Sequence, residues 1–86
     1  MLSSKETLLI LLQPFITTEQ LARLIGKTRS TASKKMAEMH RQAMKEGKRT
    51  ERGIVPSKRV IAYFGFNIDE LVENAKLENL IQGVNQ

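Results

Sequence analysis

The sequence predicts a mainly α-helical fold with four to five helices and at most a short β-ribbon. Three observations predict it. A hydroxyl residue precedes Glu or Gln by three positions at Ser3–Glu6 and Thr17–Gln20, apolar residues follow each pair at helical spacing, and glycines stand where the apolar runs end. A chain of 86 residues has room for one small domain, so we assign residues 1–86 to a single domain.

The first two helices are predicted from these capping boxes. The box at Ser3 begins a helix that continues through the apolar run 8–12 and stops before Pro14, because the residue that precedes proline avoids the helical conformation. The box at Thr17 begins a shorter helix. Gly26 closes it, since glycine tolerates the left-handed conformation at a helix end.

A third, longer helix is predicted from Thr28, as its N-cap, to about Glu46, with Gly47 ending it. Its buried stripe has residues at steps of four, three and four: Ala32, Met36, Met39 and Ala43. The second and third helices together form a predicted bihelical unit over residues 17–46.

The remainder of the chain is predicted as a wing and two helices. Residues 48–55 are polar and then turn apolar, which indicates a short β-ribbon or wing. Residues 58–66 favour a strand by propensity, but proline before them and glycine near their end favour a helix, and we predict the helix. A C-terminal helix is predicted over 68–82 with Asp69 as its cap.

Charge is strongly segregated along the chain. Residues 27–59 contain eleven Lys or Arg and three Glu, a net charge of +8, whereas residues 1–26 are neutral and residues 60–86 carry −3. Basic residues concentrated in this way are typical of proteins that bind polyanions.

The bihelical unit has the pattern of a helix-turn-helix that reads DNA. Ala22 is small where the two helices approach, and the second helix would place its N-terminal half at base edges in the major groove. Arginine can fork onto guanine, whereas Lys34, Lys35 and Arg41 are expected at phosphates. This motif usually has an apolar residue at the position of Lys35, and here Met36 provides the apolar side chain instead. The second helix is therefore expected to be rotated about its axis relative to the usual motif, which affects the individual base contacts. The candidate DNA-binding residues are Lys27, Thr28, Arg29, Ser30, Ser33, Lys34, Lys35, Arg41, Lys45, Lys48, Arg49 and Arg52.

Residues 15–66 resemble a known family. The run Phe15-Ile16-Thr17, the glycine turn, the long basic helix and GIVPSKRVIAYFGF at 53–66 resemble small winged helix-turn-helix proteins of Gram-positive phages and integrative elements, including excisionase-like proteins. The resemblance implies a DNA-binding winged fold that acts as a transcriptional regulator or as a recombination accessory factor. It also implies that Arg29, Ser30, Ser33 and Lys34 enter the groove and that Lys48, Arg49 and Arg52 lie near the wing.

Other classes of function are weaker. One histidine and no cysteine provide neither a metal site nor a catalytic relay, so we expect no enzyme, cofactor, metal or small-molecule ligand. RNA binding is weakened by the few aromatic residues, which fall in apolar patterns expected in the core. The alternative that remains is a small protein-interaction module, an anti-repressor or adaptor, whose basic face meets an acidic partner.

The C-terminal segment is predicted to present two apolar faces. After Ala75, the apolar positions shift to Leu77, Leu80, Ile81 and Val84. The second face either folds onto the N-terminal helix or serves self-association, or contact with a recombinase or polymerase, through 77–86.

The longest apolar run has five residues, whereas a membrane span needs roughly 20, so we expect no membrane contact and a cytoplasmic, nucleoid-associated protein.

Overall fold

Five helices and a two-stranded antiparallel sheet make up residues 2–84, which are the residues that the structure, a computed structural model, describes; side chains are described as far as residue 80. The elements are α1 (Ser4–Leu11), β1 (Phe15–Thr17), α2 (Thr18–Ile25), α3 (Arg29–Lys45), β2 (Ile54–Pro56), α4 (Ser57–Phe64) and α5 (Ile68–Val84). The predicted class, mainly α with a helix-turn-helix and a short β-ribbon, is confirmed. None of the described helices combines the length and apolar character needed to cross a membrane.

The predicted capping boxes begin the first two helices. Ser3 Oγ accepts a hydrogen bond from the Glu6 amide at 3.1 Å, and Thr17 Oγ1 accepts one from the Gln20 amide at 3.2 Å. In each box the longer side chain accepts a hydrogen bond from the backbone of the cap residue in return. Thr28 caps α3 as predicted. Short polar sequences therefore set where these three helices begin.

The segment after β2 is helical, as predicted, but the cap of the last helix was wrongly predicted. Gly65, with φ of 71°, ends α4 in the left-handed conformation. The next helix begins at Ile68, and Asn67 Oδ1 accepts a hydrogen bond from the Glu70 amide at 3.0 Å, so Asn67 and not Asp69 is the cap. Asparagine and aspartate are equally favourable N-cap residues. Asp69 lies instead in the first turn of the helix, where its charge complements the helix dipole.

The strand partners also differ from the prediction. Residues 48–55 do not form a wing hairpin; Ile54–Pro56 pairs antiparallel with Phe15–Thr17. The sequence predicts a short apolar connection at Phe15 and Ile16, and not a strand. In this register Ile16 lies opposite Val55, and both side chains are fully buried. Residues 48–53 lack the Gly-Gly or Asn-Gly turn that closes a tight hairpin, so the strand pairs instead with a segment distant in the sequence.

The core lies where the sheet meets α1, α2, α3 and α4. Its largest fully buried side chains come from the sheet and from α2, α3 and α4, and they are Ile16, Leu21, Met39, Val55 and Val60. The predicted stripe of α3 is buried along its whole length, from Ala32 to Ala43. The helix-turn-helix is therefore held by one continuous apolar cluster, with the sheet at its centre.

α5 packs along α1. Glu78 Oε1 accepts a hydrogen bond from the Ser4 amide at 3.0 Å, which places a carboxylate at the N-terminus of α1. The spacing of apolar residues predicts that Ile68, Leu71, Val72 and Ala75 of α5 face inward, and this prediction is only partly correct. Ile68 and Leu71 pack against the core cluster, but Val72 is exposed. The predicted second apolar face includes Ile81 and Val84, whose side chains lie outside the described residues.

The predicted burial of all aromatic residues is also wrong at one position. Phe15 is 52% exposed, because the two faces of β1 alternate and Ile16 takes the buried one. Tyr63, Phe64 and Phe66 pack against the core cluster as expected.

A hydrogen bond between side chains joins α3 to α4. The Tyr63 hydroxyl donates to Glu38 Oε2. This bond, followed by the nearby charge of Lys35, lowers the pKa of the Glu38 carboxyl below its ordinary value. The same bond raises the pKa of Tyr63, since ionisation of the phenol would remove the donor.

The capping box at Thr17 provides a test of helix initiation. Thr17→Ala should destabilise the fold by about 0.5–2 kcal/mol, because it removes the acceptor for the Gln20 amide. Urea unfolding measures the change, with Thr50→Ala in the exposed loop as the control. Equal free energies of unfolding for the two variants would show that the cap does not determine stability.

The bond between Tyr63 and Glu38 predicts a dependence on pH. The lowered pKa of Glu38 stabilises the fold above the ordinary carboxyl range, and this contribution disappears as pH falls through the lowered value. The raised pKa of Tyr63 stabilises the fold below the ordinary phenol range, and this contribution disappears as pH rises through the raised value. Tyr63→Phe should therefore lower the thermal midpoint most at neutral pH, and least where the pH lies well below the lowered pKa of Glu38 or well above the raised pKa of Tyr63. A deficit independent of pH would assign the effect to packing alone.

Candidate nucleic-acid interface

The outward face of α3 is a row of polar and basic side chains. The row has exposed residues at helical spacing, opposite the buried stripe: Ser30, Lys34, Arg41 and Lys45. Ala37, also exposed, lies between Lys34 and Arg41 at the edge of the row. The first half of the row has the small residue Ser30 beside the long Lys34, whereas the second half has only the long basic residues Arg41 and Lys45. Close approach is therefore possible beside Ser30 in the first half of the row.

One flank of this row borders a shallow groove of about 370 Å³. Arg29 and Ser33 of α3 line it together with Arg52 and Gly53, which come from the loop before β2. The structure thus brings Arg52 beside the start of α3 although 23 positions separate Arg52 from Arg29. This proximity follows from the pairing of β2 with β1, which holds the loop against the helix-turn-helix.

Arg29 is engaged within the molecule. Its Nη1 donates to Glu19 Oε1 at 3.3 Å, and both side chains are about three-quarters exposed. An ion pair this exposed contributes little to stability, so the guanidinium can exchange Glu19 for another acceptor at small cost.

Lys35 lies apart from the row. It is half-buried, one residue and about 100° round the helix from Lys34, and it faces the side on which Glu38 meets α4. Met36 takes the buried position expected at this level of the helix. The structure therefore does not bring Lys35 together with the other candidate residues of α3.

Lys27 and Thr28 occupy the turn before α3. Lys27 is exposed. Thr28 Oγ1 accepts a hydrogen bond from the Thr31 amide at 3.3 Å and shares another with Thr31 Oγ1 at 3.2 Å. The hydroxyl of Thr28 is thus committed to the cap, whereas the ammonium of Lys27 projects into solvent.

The loop 48–53 carries the remaining candidates, Lys48, Arg49 and Arg52, all exposed. Its start is fixed by the Lys48 amide, which donates to the Ala43 carbonyl at 2.9 Å. Its end is fixed by His40, whose Nε2 lies 2.8 Å from the Ile54 carbonyl oxygen. A carbonyl oxygen only accepts, so Nε2 carries the proton and donates. The sequence predicts His40 as a structural or surface residue, and a lone histidine gives no signal for this particular anchoring of the loop.

A bidentate ion pair joins the end of α3 to α4. Arg59 Nη1 donates to Glu46 Oε2 at 2.7 Å and Nη2 donates to Oε1 at 3.3 Å, while Lys48 Nζ lies 3.7 Å from Oε1. The hydrogen bond from Arg59 lowers the pKa of Glu46, and the same bond raises the pKa of Arg59. Arg59 is only 15% exposed and was not among the predicted site residues.

Two of the three acidic groups of the basic segment are bound by α4. Of the three, Glu38 meets Tyr63 and Glu46 meets Arg59, both on α4, and Glu51 lies in the loop. The outward row of α3 therefore keeps its positive charge next to solvent. Among the described residues no group of His, Asp and Glu could hold a metal ion.

Comparison of the chain with protein-family models, with curated proteins and with solved structures finds no match.

Proposed function

We propose that the protein binds double-stranded DNA by placing α3 in the major groove, with the loop 48–53 against the adjacent backbone. The observation that carries the proposal is the outward row of α3, basic and polar along its length and backed by a buried apolar stripe. On this basis the protein is a transcriptional regulator or a recombination accessory factor of a mobile element, without catalytic residues of its own.

Side-chain size supports the direction in which α3 enters the groove. Ser30, Ser33 and Ala37 are exposed and small, so the first half of the helix can approach base edges closely. Lys34 and Arg29 accompany them as donors that suit guanine. Arg41 and Lys45 lie further along the helix, where the groove wall and its phosphates are the nearer partners.

The placement of charge supports one orientation on DNA. The acidic residues of α5 lie on the element that packs with α1, whereas the basic residues concentrate on α3 and the loop 48–53. A molecule polarised in this way is steered with its basic side towards the duplex.

Exposed leucines support an additional contact through 77–86. Leu77 and Leu80 are 56% and 65% exposed on α5. A single small module buries about 600–1,000 Å² on DNA, so specific binding usually needs a second copy or a partner such as a recombinase or polymerase.

Sedimentation of the protein with a duplex that carries two sites tests this contact. Leu77→Lys with Leu80→Lys should abolish cooperative binding to the two sites, and unchanged cooperativity would exclude self-association through these leucines.

Binding to duplex DNA should depend steeply on salt. If six to eight Lys or Arg side chains contact phosphates, the logarithm of the association constant should fall against the logarithm of salt concentration with a slope of about −5 to −7. Arg41→Ala with Lys45→Ala should reduce the magnitude of this slope by about 2. The matched control removes one lysine from α1 and one from α5, by Lys5→Ala with Lys76→Ala, and it should leave the slope nearly unchanged.

The same titration distinguishes the alternative function. A protein-interaction module that uses its basic face for an acidic partner would show no duplex binding at low salt, or a slope near zero. Equal loss of affinity in the test and control variants would contradict a role for α3 in particular.

Base reading and backbone contact should separate by residue. Arg29→Ala should cost about 1–3 kcal/mol on the preferred sequence and relax preference at one base pair. Lys45→Ala should weaken binding to preferred and random duplexes alike. Competition assays with both duplexes measure the difference, and identical profiles for the two variants would remove Arg29 from the base-reading residues.

A further inference from the structure

A cavity of about 230 Å³ lies between the second half of α3, the loop 48–53 and β2. We call it the loop cavity. Its floor is apolar: Ala43 is 5% exposed, and Ile54 and Pro56, on the same face of the sheet as Phe15, continue the surface. Phe15 forms one wall and is 52% exposed, so a large aromatic face borders the opening. A concave apolar surface of this kind is typical of a ligand site.

The rim of the loop cavity is predominantly cationic. Lys48, Arg49 and Arg59 line it, against one acid, Glu51. Arg59 is already bound to Glu46, and Lys48 lies near the same carboxylate. Arg49 forms no ion pair with any residue that the structure describes. Arg49 is therefore the rim cation most available to a ligand.

His40 contributes the third chemical feature. It borders the loop cavity, and its Nε2–H is used by the Ile54 carbonyl, so Nδ1 is the ring nitrogen left for other partners. The same bond holds the loop against α3, which keeps the wall of the cavity in place without a ligand.

We propose that the loop cavity binds a small carboxylate with an apolar body. The apolar body would lie between Phe15 and the floor formed by Ile54 and Pro56, and the carboxylate would face Arg49. The volume is below the range of about 300–1,000 Å³ that holds drug-sized ligands, so the body is the size of one ring or one branched aliphatic chain. Apolar contact and charge both contribute, so neither a neutral analogue nor a small inorganic anion satisfies the site.

Occupancy should weaken DNA binding, a consequence that rests on the proposed function. The loop that walls the cavity also carries Lys48, Arg49 and Arg52, which we place against the DNA backbone. A bound carboxylate brings negative charge to this loop and competes for Arg49. The two equilibria are linked, so the ligand should lower duplex affinity by about fivefold or more, and duplex DNA should lower ligand affinity by the same factor.

Titration of the full chain with phenylacetate, without DNA, tests the site itself. Amide chemical shifts should move at Phe15, Ala43 and Val55, with a dissociation constant of about 1 mM or below. Phenylacetamide, which lacks the charge, and acetate and inorganic phosphate, which lack the apolar body, should each bind at least about tenfold more weakly. Absence of saturable shifts with both phenylacetate and 4-methylpentanoate would overturn the proposal, as would acetate or phosphate binding equally well.

Matched variants locate the binding. Arg49→Gln and Phe15→Ala should each raise the dissociation constant of phenylacetate by about tenfold. Arg52→Gln is the control, because Arg52 lies in the same loop but lines the groove beside Arg29 instead. Thermal unfolding confirms that each variant is folded. Equal effects of Arg49→Gln and Arg52→Gln would reduce the interaction to general electrostatic attraction and overturn the site. If the protein does not bind duplex DNA but phenylacetate binds as described, the proposed DNA-binding function and its link to the ligand are wrong, and the proposed ligand site is still supported.

Discussion

The antiparallel pairing of Ile16 with Val55 is the constraint on which the rest of the structure depends. It joins two three-residue strands that lie 39 positions apart, and both side chains are fully buried among residues of α2, α3 and α4. Strands this short gain little from their hydrogen bonds alone, so the burial of the two side chains provides most of the stabilisation. The pairing fixes the start of α2 and the end of the loop 48–53 at once, and α3 lies between them.

Polar contacts then divide the surface of α3 between support and solvent. His40 holds the end of the loop, while Glu38 and Glu46 bind Tyr63 and Arg59 of α4. All these contacts leave the outward row, from Ser30 to Lys45, without a supporting role in the fold. Because Glu38 and Glu46 are bound by α4, the outward row of α3 contains only basic and small residues, and it retains a concentration of positive charge. This division is the physical basis of the proposed contact with DNA and of the proposed anion site beside the loop.

Features encoded by a few neighbouring residues could be predicted from the sequence. The caps at Ser3, Thr17 and Thr28, the glycine ends and the buried stripe of α3 each depend on local spacing. The partner of β2 could not be predicted, because three residues carry no periodicity and the pairing is non-local. Local reasoning also misplaced the cap of α5, where Asn67 and Asp69 are both good caps and the chain uses the earlier one. For the candidate site, the row on α3 follows from helical periodicity. The displacement of Lys35 and the anchoring by His40 depend on how α3 packs against α4 and β2.

The central claim is that the exposed side of α3 and the loop 48–53 form the surface that meets DNA. Amide chemical-shift mapping of the full chain with a short duplex at low salt tests it most directly, because each residue reports separately. We predict shifts concentrated in the outward row of α3, in the turn at Lys27 and in the loop 48–53, with little change along α1 and α5. Shifts concentrated on α5, or spread evenly over the surface, would contradict it.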